Sequence, residues 1–256
     1  MKITVCELPN RQSKFEDAWS YLAEHIHSHD SDLVLLPEMP FHPWFAITRE
    51  VDLSVWGAAV AAHDDWLHRL TDLAPAIVLG SRPANIDGRR INEGFAWESQ
   101  SGYRSAHQKY HLPDEEGFWE ATWYEPGNGT FSLTEVNEVK IGFQICTDMW
   151  FMEHARSLGR EGSHIIAVPR ATPSSTREKW LAGGQTASVV SGAFCISSSP
   201  VSDSDETISL GGFGWIIDPD GMVLATTSEK EPFITVEIDL EKAELAKGTY
   251  PRYVNG

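Results

Sequence analysis

Apolar positions near the start of the chain switch between continuous runs and helical spacing. Lys2 to Leu8 reads as a short apolar strand, and Phe15, Ala18, Trp19, Leu22 and Ile26 then recur on one helix face. "DLVLLPE", Asp32 to Glu38, is a buried-strand run that ends in a carboxylate, so the opening is a β-α-β unit. The pattern repeats with a helical face over Asp64 to Ala74 (Trp66, Leu67, Leu70) and a strand in "AIVLGSRPA" from Ala76. "INEGFAWES" and "YRSAHQKY", within residues 91–110, alternate as a strand pair around a turn at Gln100 to Gly102.

"KIGFQIC" is a strand pattern that stops at Cys146 and passes into a helix-like segment, Trp150 to Gly162, closed by glycine. "HIIAVPR" follows as a buried strand, Ser174 to Val190 as a longer helix and "AFCISSSP" as one more strand. The last quarter is β-rich, with "FGWIIDPDGMVLATTS" as a hairpin around Pro219-Asp220-Gly221 and "PFITVEIDL" as a closing strand. No linker, repeat or low-complexity tract interrupts the pattern. Residues 1–256 are therefore expected to form a single α/β domain, a layered sandwich of mixed sheets covered by helices.

Composition narrows the classes. At 256 residues and 41% hydrophobic content the chain can bury a substantial core without staples. Cys6, Cys146 and Cys195 are too few and too far apart for a disulfide framework, and no Cys-x-x-Cys pair suggests zinc or dithiol chemistry, so a reducing, cytoplasmic setting is expected. The first residues lack the apolar core of a signal peptide, and no stretch approaches the roughly 18 apolar residues of a spanning helix. A net charge of −17 disfavours nucleic acid and anionic membrane as partners, since both are bound chiefly through lysine and arginine.

Three polar residues end apolar strands: Glu38 in "LVLLPEMPF", Lys109 in "SAHQKYHLP" and Cys146. Singly each has a plain explanation, as a solvated turn carboxylate, an edge-strand lysine and a core thiol. Jointly they supply a nucleophile, a general acid/base and a fixed positive charge for an oxyanion. The matching stretches "LVLLPEMPF", "HQKYHLP" and "GFQICTDMWFMEHAR" resemble, in this chain order, the Glu, Lys, Cys motifs of the nitrilase superfamily of carbon-nitrogen hydrolases. "INEGFAW", "EPGNGTF" and "GWIIDPDGMVLA" extend the similarity nearly end to end.

The resemblance implies a four-layer α-β-β-α sandwich, a thioester on Cys146 and no cofactor or metal. It also implies a homodimer or higher homo-oligomer in which helices near the nucleophile pack together. The family often carries a second glutamate seven residues before the glycine of a Pro-Gly pair; counted from Gly127 that is Glu120, with Glu116 in "PDEEGF" as the competing position. The backbone N–H of Thr147 is expected to be the second oxyanion donor.

Nitrile-cleaving members commonly carry Trp-Glu after the cysteine, whereas Thr147-Asp148 resembles the amidase and carbamoylase branches. The expected activity is hydrolysis of a small amide or N-carbamoyl compound with release of ammonia; nitrile hydrolysis and acyl transfer are the alternatives. Phe41, Trp123 and Trp150 are candidates for an apolar acyl pocket, with core packing as the competing explanation. Arg170, at the end of "HIIAVPR", is a candidate carboxylate clamp, with an ion pair as the competing one. Met149-Trp150 stands where carbamoylases of D-amino acids carry paired arginines, which disfavours that substrate. Two further rivals are a metal site at "HIHSHD" and a relative that binds without catalysis. His25 and His29 would share a helix face while His27 points away, which argues against the first.

Overall fold

The computed structural model describes residues 1–254. In chain order the elements are β1 (Lys2–Pro9), α1 (Gln12–His29), β2 (Leu33–Leu35), α2 (Leu53–Leu67), β3 (Ile77–Ile86), β4 (Arg89–Glu98) and β5 (Gly102–Gln108). They continue with α3 (Glu120–Trp123), β6 (Leu133–Val136), β7 (Val139–Phe143), α4 (Met152–Arg160), β8 (Ile165–Pro169) and α5 (Arg177–Ser191). The chain closes with β9 (Phe194–Val201), β10 (Trp215–Ile217), β11 (Val223–Thr226), β12 (Phe233–Glu237) and α6 (Glu241–Ala246).

The first sheet runs β5-β4-β3-β2-β1, with β12 antiparallel on β1. The second holds β9, β8, β7 and β6, with β10 on β9 and β11 on β10. They join where Glu7–Pro9 of β1 runs parallel to Ser199–Val201 of β9. Inward side chains from both sheets, among them Val5, Leu35, Leu79, Ile141, Ile165 and Ile196, form one buried cluster between them. On the outer face of the first sheet, Phe15, Trp19, Leu22 and Ile26 of α1 and Trp66 of α2 close a second cluster. On the outer face of the other, Leu158 of α4 and Trp180 and Ala187 of α5 close a third. The result is the expected four-layer α-β-β-α sandwich.

The helical periodicity of α1 was a sufficient signal, and the chain leaves the helix at Asp30 in the left-handed conformation (φ 50°), a common helix stop. Where "HIHSHD" lies, His25 and His29 stack with centroids 4.0 Å apart while His27 Nε2 meets the Ala74 carbonyl oxygen. Helix α2 differs from the pattern. It begins at Leu53 rather than Asp64, capped by Asp52 accepting from Ser54 N at 2.8 Å, and only a 3-10 turn, His68–Leu73, continues beyond it. Its buried face is Trp56, Ala59, His63 and Trp66, in which an alanine and a histidine hide the apolar spacing. Among the described residues no helix is long and apolar enough to cross a membrane.

Candidate active site

Strand ends place the three candidate residues together. Glu38 follows β2, Lys109 follows β5, and Cys146 opens a 3-10 turn, Cys146–Trp150, after β7. All three are buried, at 1%, 0% and 3% exposure, although two are charged and one is a potential nucleophile. Such burial is tolerated only where charges are paired. The Lys109 ammonium donates to Glu38 Oε1 at 2.8 Å and to Glu120 Oε2 at 2.5 Å, and so bridges two buried carboxylates.

Neighbouring groups fix this bridge. Asn92 Nδ2 donates to Glu38 Oε1 at 2.8 Å, and Tyr124 Oη donates to Glu120 Oε2. Lys109 N donates to Asn92 O at 2.9 Å, and Gly127 N to Lys109 O at 2.8 Å. Gly127 approaches so closely that a Cβ would stand 2.4 Å from Gln108 O, so glycine is required where this loop crosses the lysine strand. Each carboxylate retains one buried oxygen, Glu38 Oε2 and Glu120 Oε1, without a hydrogen-bond partner among the described residues.

Cys146 sits at φ 48°, in the left-handed region that an L-residue adopts at a cost. This backbone turns the thiol out of the strand direction and into a cavity of about 90 Å3 that it shares with Glu120, Thr147, Glu115, Phe118, Ala171, Thr172 and Trp180. Its Sγ lies 3.9 Å from Ala171 O. A larger cavity of about 510 Å3, lined by Met1, Asp32 and Leu240, opens at the opposite ends of the strands and holds none of these groups.

Electrostatics sets the resting protonation. Burial, with Glu38 adding to it, raises the Cys146 pKa well above the usual thiol value, and the Lys109 charge only partly opposes this. Burial lowers the Lys109 pKa, but Glu120, Glu38 and Cys146 together outweigh it and hold the ammonium above its ordinary range. Burial pushes the Glu120 carboxyl up to about 7, against the pull of Lys109 and with the push of Glu38. Among the described residues no group of three or more His, Cys, Asp or Glu side chains is arranged to hold a metal ion.

The other expected positions divide. Glu120 meets Lys109 while Glu116 stands exposed on its loop, and Thr147 lines the cavity. Phe41, Trp123, Trp150 and Arg170 do not line it. Phe41 packs under α1 against Phe15, Trp19 and Trp66. Trp123 packs on Phe45 and donates Nε1 to Thr48 O at 2.7 Å. Trp150 is 42% exposed and leans on Trp180. Arg170 is fully buried, and burial pushes its pKa down to about 9. Its guanidinium is spent on Ser197 Oγ, Thr172 Oγ1 and the carbonyls of Gly212 and Phe213, which ties together the backbone around the pocket.

Phe118 and Trp180 supply the aromatic walls instead. Neither was marked by nearness to a strand-end residue. Asn92 lay inside the quoted "INEGFAW", where a buried amide in the middle of an apolar strand was the available signal. Tyr124 stands four residues after Glu120, which places it one helical turn away.

Comparison with known proteins follows the same line. The chain is 28% identical over 154 residues to N-carbamoylputrescine amidase of Solanum tuberosum, which covers 53% of this chain and 50% of that protein. It is 26% identical over 238 residues to the chloroplastic omega-amidase of Arabidopsis thaliana, covering 89% and 64%. The matches thus span between half and two thirds of the length of these relatives. In structure it superposes on a carbon-nitrogen hydrolase from Helicobacter pylori G27 with a TM-score of 0.83 at 21% identity, covering 98% of this chain and 94% of the other. The sequence profile of carbon-nitrogen hydrolases matches residues 2–247, and the chain belongs to the carbon-nitrogen hydrolase family.

Proposed function

We propose that the protein hydrolyses the C–N bond of a small amide or N-carbamoyl compound through a thioester on Cys146. The observation that carries this reading is the Lys109 ammonium held between Glu38 and Glu120, with Cys146 turned into the cavity that Glu120 lines. The protonated resting thiol requires a base at the moment of attack, and the unpartnered Glu38 Oε2 is suited to take that proton. Cys146 Sγ adds to the carbonyl carbon, and the oxyanion is stabilised by Lys109 and the Thr147 backbone N–H. Glu38 returns the proton to the leaving nitrogen, ammonia departs, and the C–N bond is replaced by a thioester. Glu38 then deprotonates a water that attacks the thioester, and the carboxylic or carbamic acid leaves as the thiol is restored. Glu120 and Asn92 position Lys109 and Glu38.

A cavity of about 90 Å3 is well below the roughly 300–1,000 Å3 of drug-sized ligand sites, which favours a short acyl group against Phe118 and Trp180. The test is ammonia release from a panel of short amides, ureido acids and nitriles, with wild type beside Cys146→Ala and intact mass recorded during turnover. Ammonia from an amide or ureido acid, lost in the variant and accompanied by an acyl adduct on Cys146, supports the reading. Release from nitriles alone overturns it.

Self-association belongs to the same proposal. Trp150 and Phe151, at 42% and 36% exposure, leave aromatic surface beside α4 and α5, and a second copy of this chain packing there would cover it. Sedimentation velocity is expected to give a dimer or larger species, and Trp150→Ser to weaken it.

A further inference from the structure

Between the strand that carries Lys109 and the turn that carries Cys146 stands a polar contact that the thioester chemistry does not use. Asp148, two residues after the nucleophile, is fully buried. Its Oδ2 meets Nε2 of His107 at 3.0 Å, a side chain only 3% exposed. Its Oδ1 accepts from the backbone N–H groups of Tyr110 at 3.3 Å and His111 at 2.9 Å. On the other side, Gln144 Nε2 donates to Asp148 O at 3.2 Å. One carboxylate therefore grips the chain two residues before and immediately after Lys109, from a turn whose first residue is Cys146.

We propose that Asp148 and His107 are positioning residues that set the separation between the Cys146 thiol and the Lys109 ammonium. The inference rests on the thioester reading above. Lys109 and Cys146 come from different sheets, β5 at the edge of one and β7 in the other, and β5 and β7 are not hydrogen-bonded neighbours. Their separation is therefore not set by a shared ladder. The Asp148 contacts cross that gap in both directions, and the burial of His107 and Asp148 removes the water that would otherwise compete for them. Both carboxylate oxygens are used. An amide in the same place offers one oxygen where three N–H donors need two, so Asp148→Asn must lose part of the brace.

The experiment uses the full chain and two readouts. One is kcat and KM on whichever short amide releases ammonia; the other is the rate at which iodoacetamide alkylates Cys146, followed by intact mass and peptide mapping, which needs no substrate. Cys6 and Cys195, both fully buried, serve as internal controls. His107→Phe keeps a ring that packs on Phe131, as His107 does at 4.7 Å, but cannot bond to Asp148. It is expected to fold, to lower kcat by about 100-fold, the scale of a 1 Å misplacement at a reacting centre, and to change the alkylation rate at least threefold, with little change in KM. His107→Gln, whose amide N–H can reach the carboxylate, is expected to reverse most of both changes, and Asp148→Asn to move both in the same direction as His107→Phe.

A folded His107→Phe protein with wild-type kcat and alkylation rate overturns the proposal, as does His107→Gln performing no better than His107→Phe. If His107→Phe does not fold, Asp148→Asn decides on the same two readouts. If the wild type turns over no amide or ureido acid, the hydrolase reading fails while the alkylation rates still report on the brace.

Discussion

At Lys109 a single ammonium is shared between two buried carboxylates, and all three groups are removed from water. Deleting the cation leaves Glu38 without its counter-charge and drives Glu120, already pushed up to about 7 by burial, toward its protonated form. Lys109→Met is therefore expected to cost about 3–5 kcal/mol of stability, the usual consequence of breaking a buried ion pair by removing one partner. Equilibrium urea unfolding measures it. The double variant Lys109→Met/Glu120→Gln, with one carboxylate fewer to leave uncompensated, is expected to regain part of the loss while remaining inactive. Glu38→Gln keeps an acceptor for Asn92 and Lys109 but cannot take a proton. We expect kcat for ammonia release to fall by about 10²–10⁴-fold, the range of general acid–base catalysis, with an unchanged thermal transition.

Much of the site was legible at this scale because its charged residues end apolar strands, where an ionisable side chain conflicts with the pattern around it. Glu38, Lys109 and Cys146 carry that conflict in the sequence. Phe118, Trp180 and Asn92 do not, because an aromatic or an amide in a buried segment looks like packing until the neighbouring strands are in place. Arg170 differs from Glu38, Lys109 and Cys146. It ends a strand as the others do, but its donors are consumed by backbone and hydroxyl groups of the surrounding loops.

Among the elements, most strands and the helices α1, α4 and α5 were readable from period alone, whereas β6 carried no such signal and α2 was half-hidden by small and polar residues on its buried face. His63 is one of these. It is fully buried, its Nε2 accepts from Phe41 N at 3.2 Å, and its Nδ1 donates to Ala59 O at 2.7 Å. Burial pushes its pKa down to about 3. An unfolded histidine takes up a proton near pH 6.5, whereas this one does not, so the stability it contributes is present above that pH and is lost as pH falls from about 6.5 toward 3, at up to about 1.4 kcal/mol per unit. Urea unfolding at pH 7 and pH 5 is expected to show the decline, with a shallower one in His63→Gln. The α4–α5 pair is set by close approach: a Cβ on Gly159 would stand 2.3 Å from Ser191 O. Gly159→Ala is expected to lower stability by about 1–3 kcal/mol, as overpacking does, read as a drop in Tm.

For the whole molecule, the layered architecture followed from counting alternating strands and helices, but the order of strands did not. Nothing local says that β1 pairs with β2 and β12 at one end and with β9 at the other, because such pairing is decided by which faces the helices cover. That one strand is the seam at which the two sheets meet. Glu38 and Lys109 hang from the sheet on one side of it, and Cys146 from the sheet on the other. The reacting group and its proton acceptor therefore belong to two halves that need only slip at the short β1–β9 ladder joining them, with the ladders inside each sheet intact, to fall out of register. Thiol reactivity in this protein is thus a gauge of how the halves are seated, and on gentle denaturation it is expected to change before the far-ultraviolet signal of the sheets themselves.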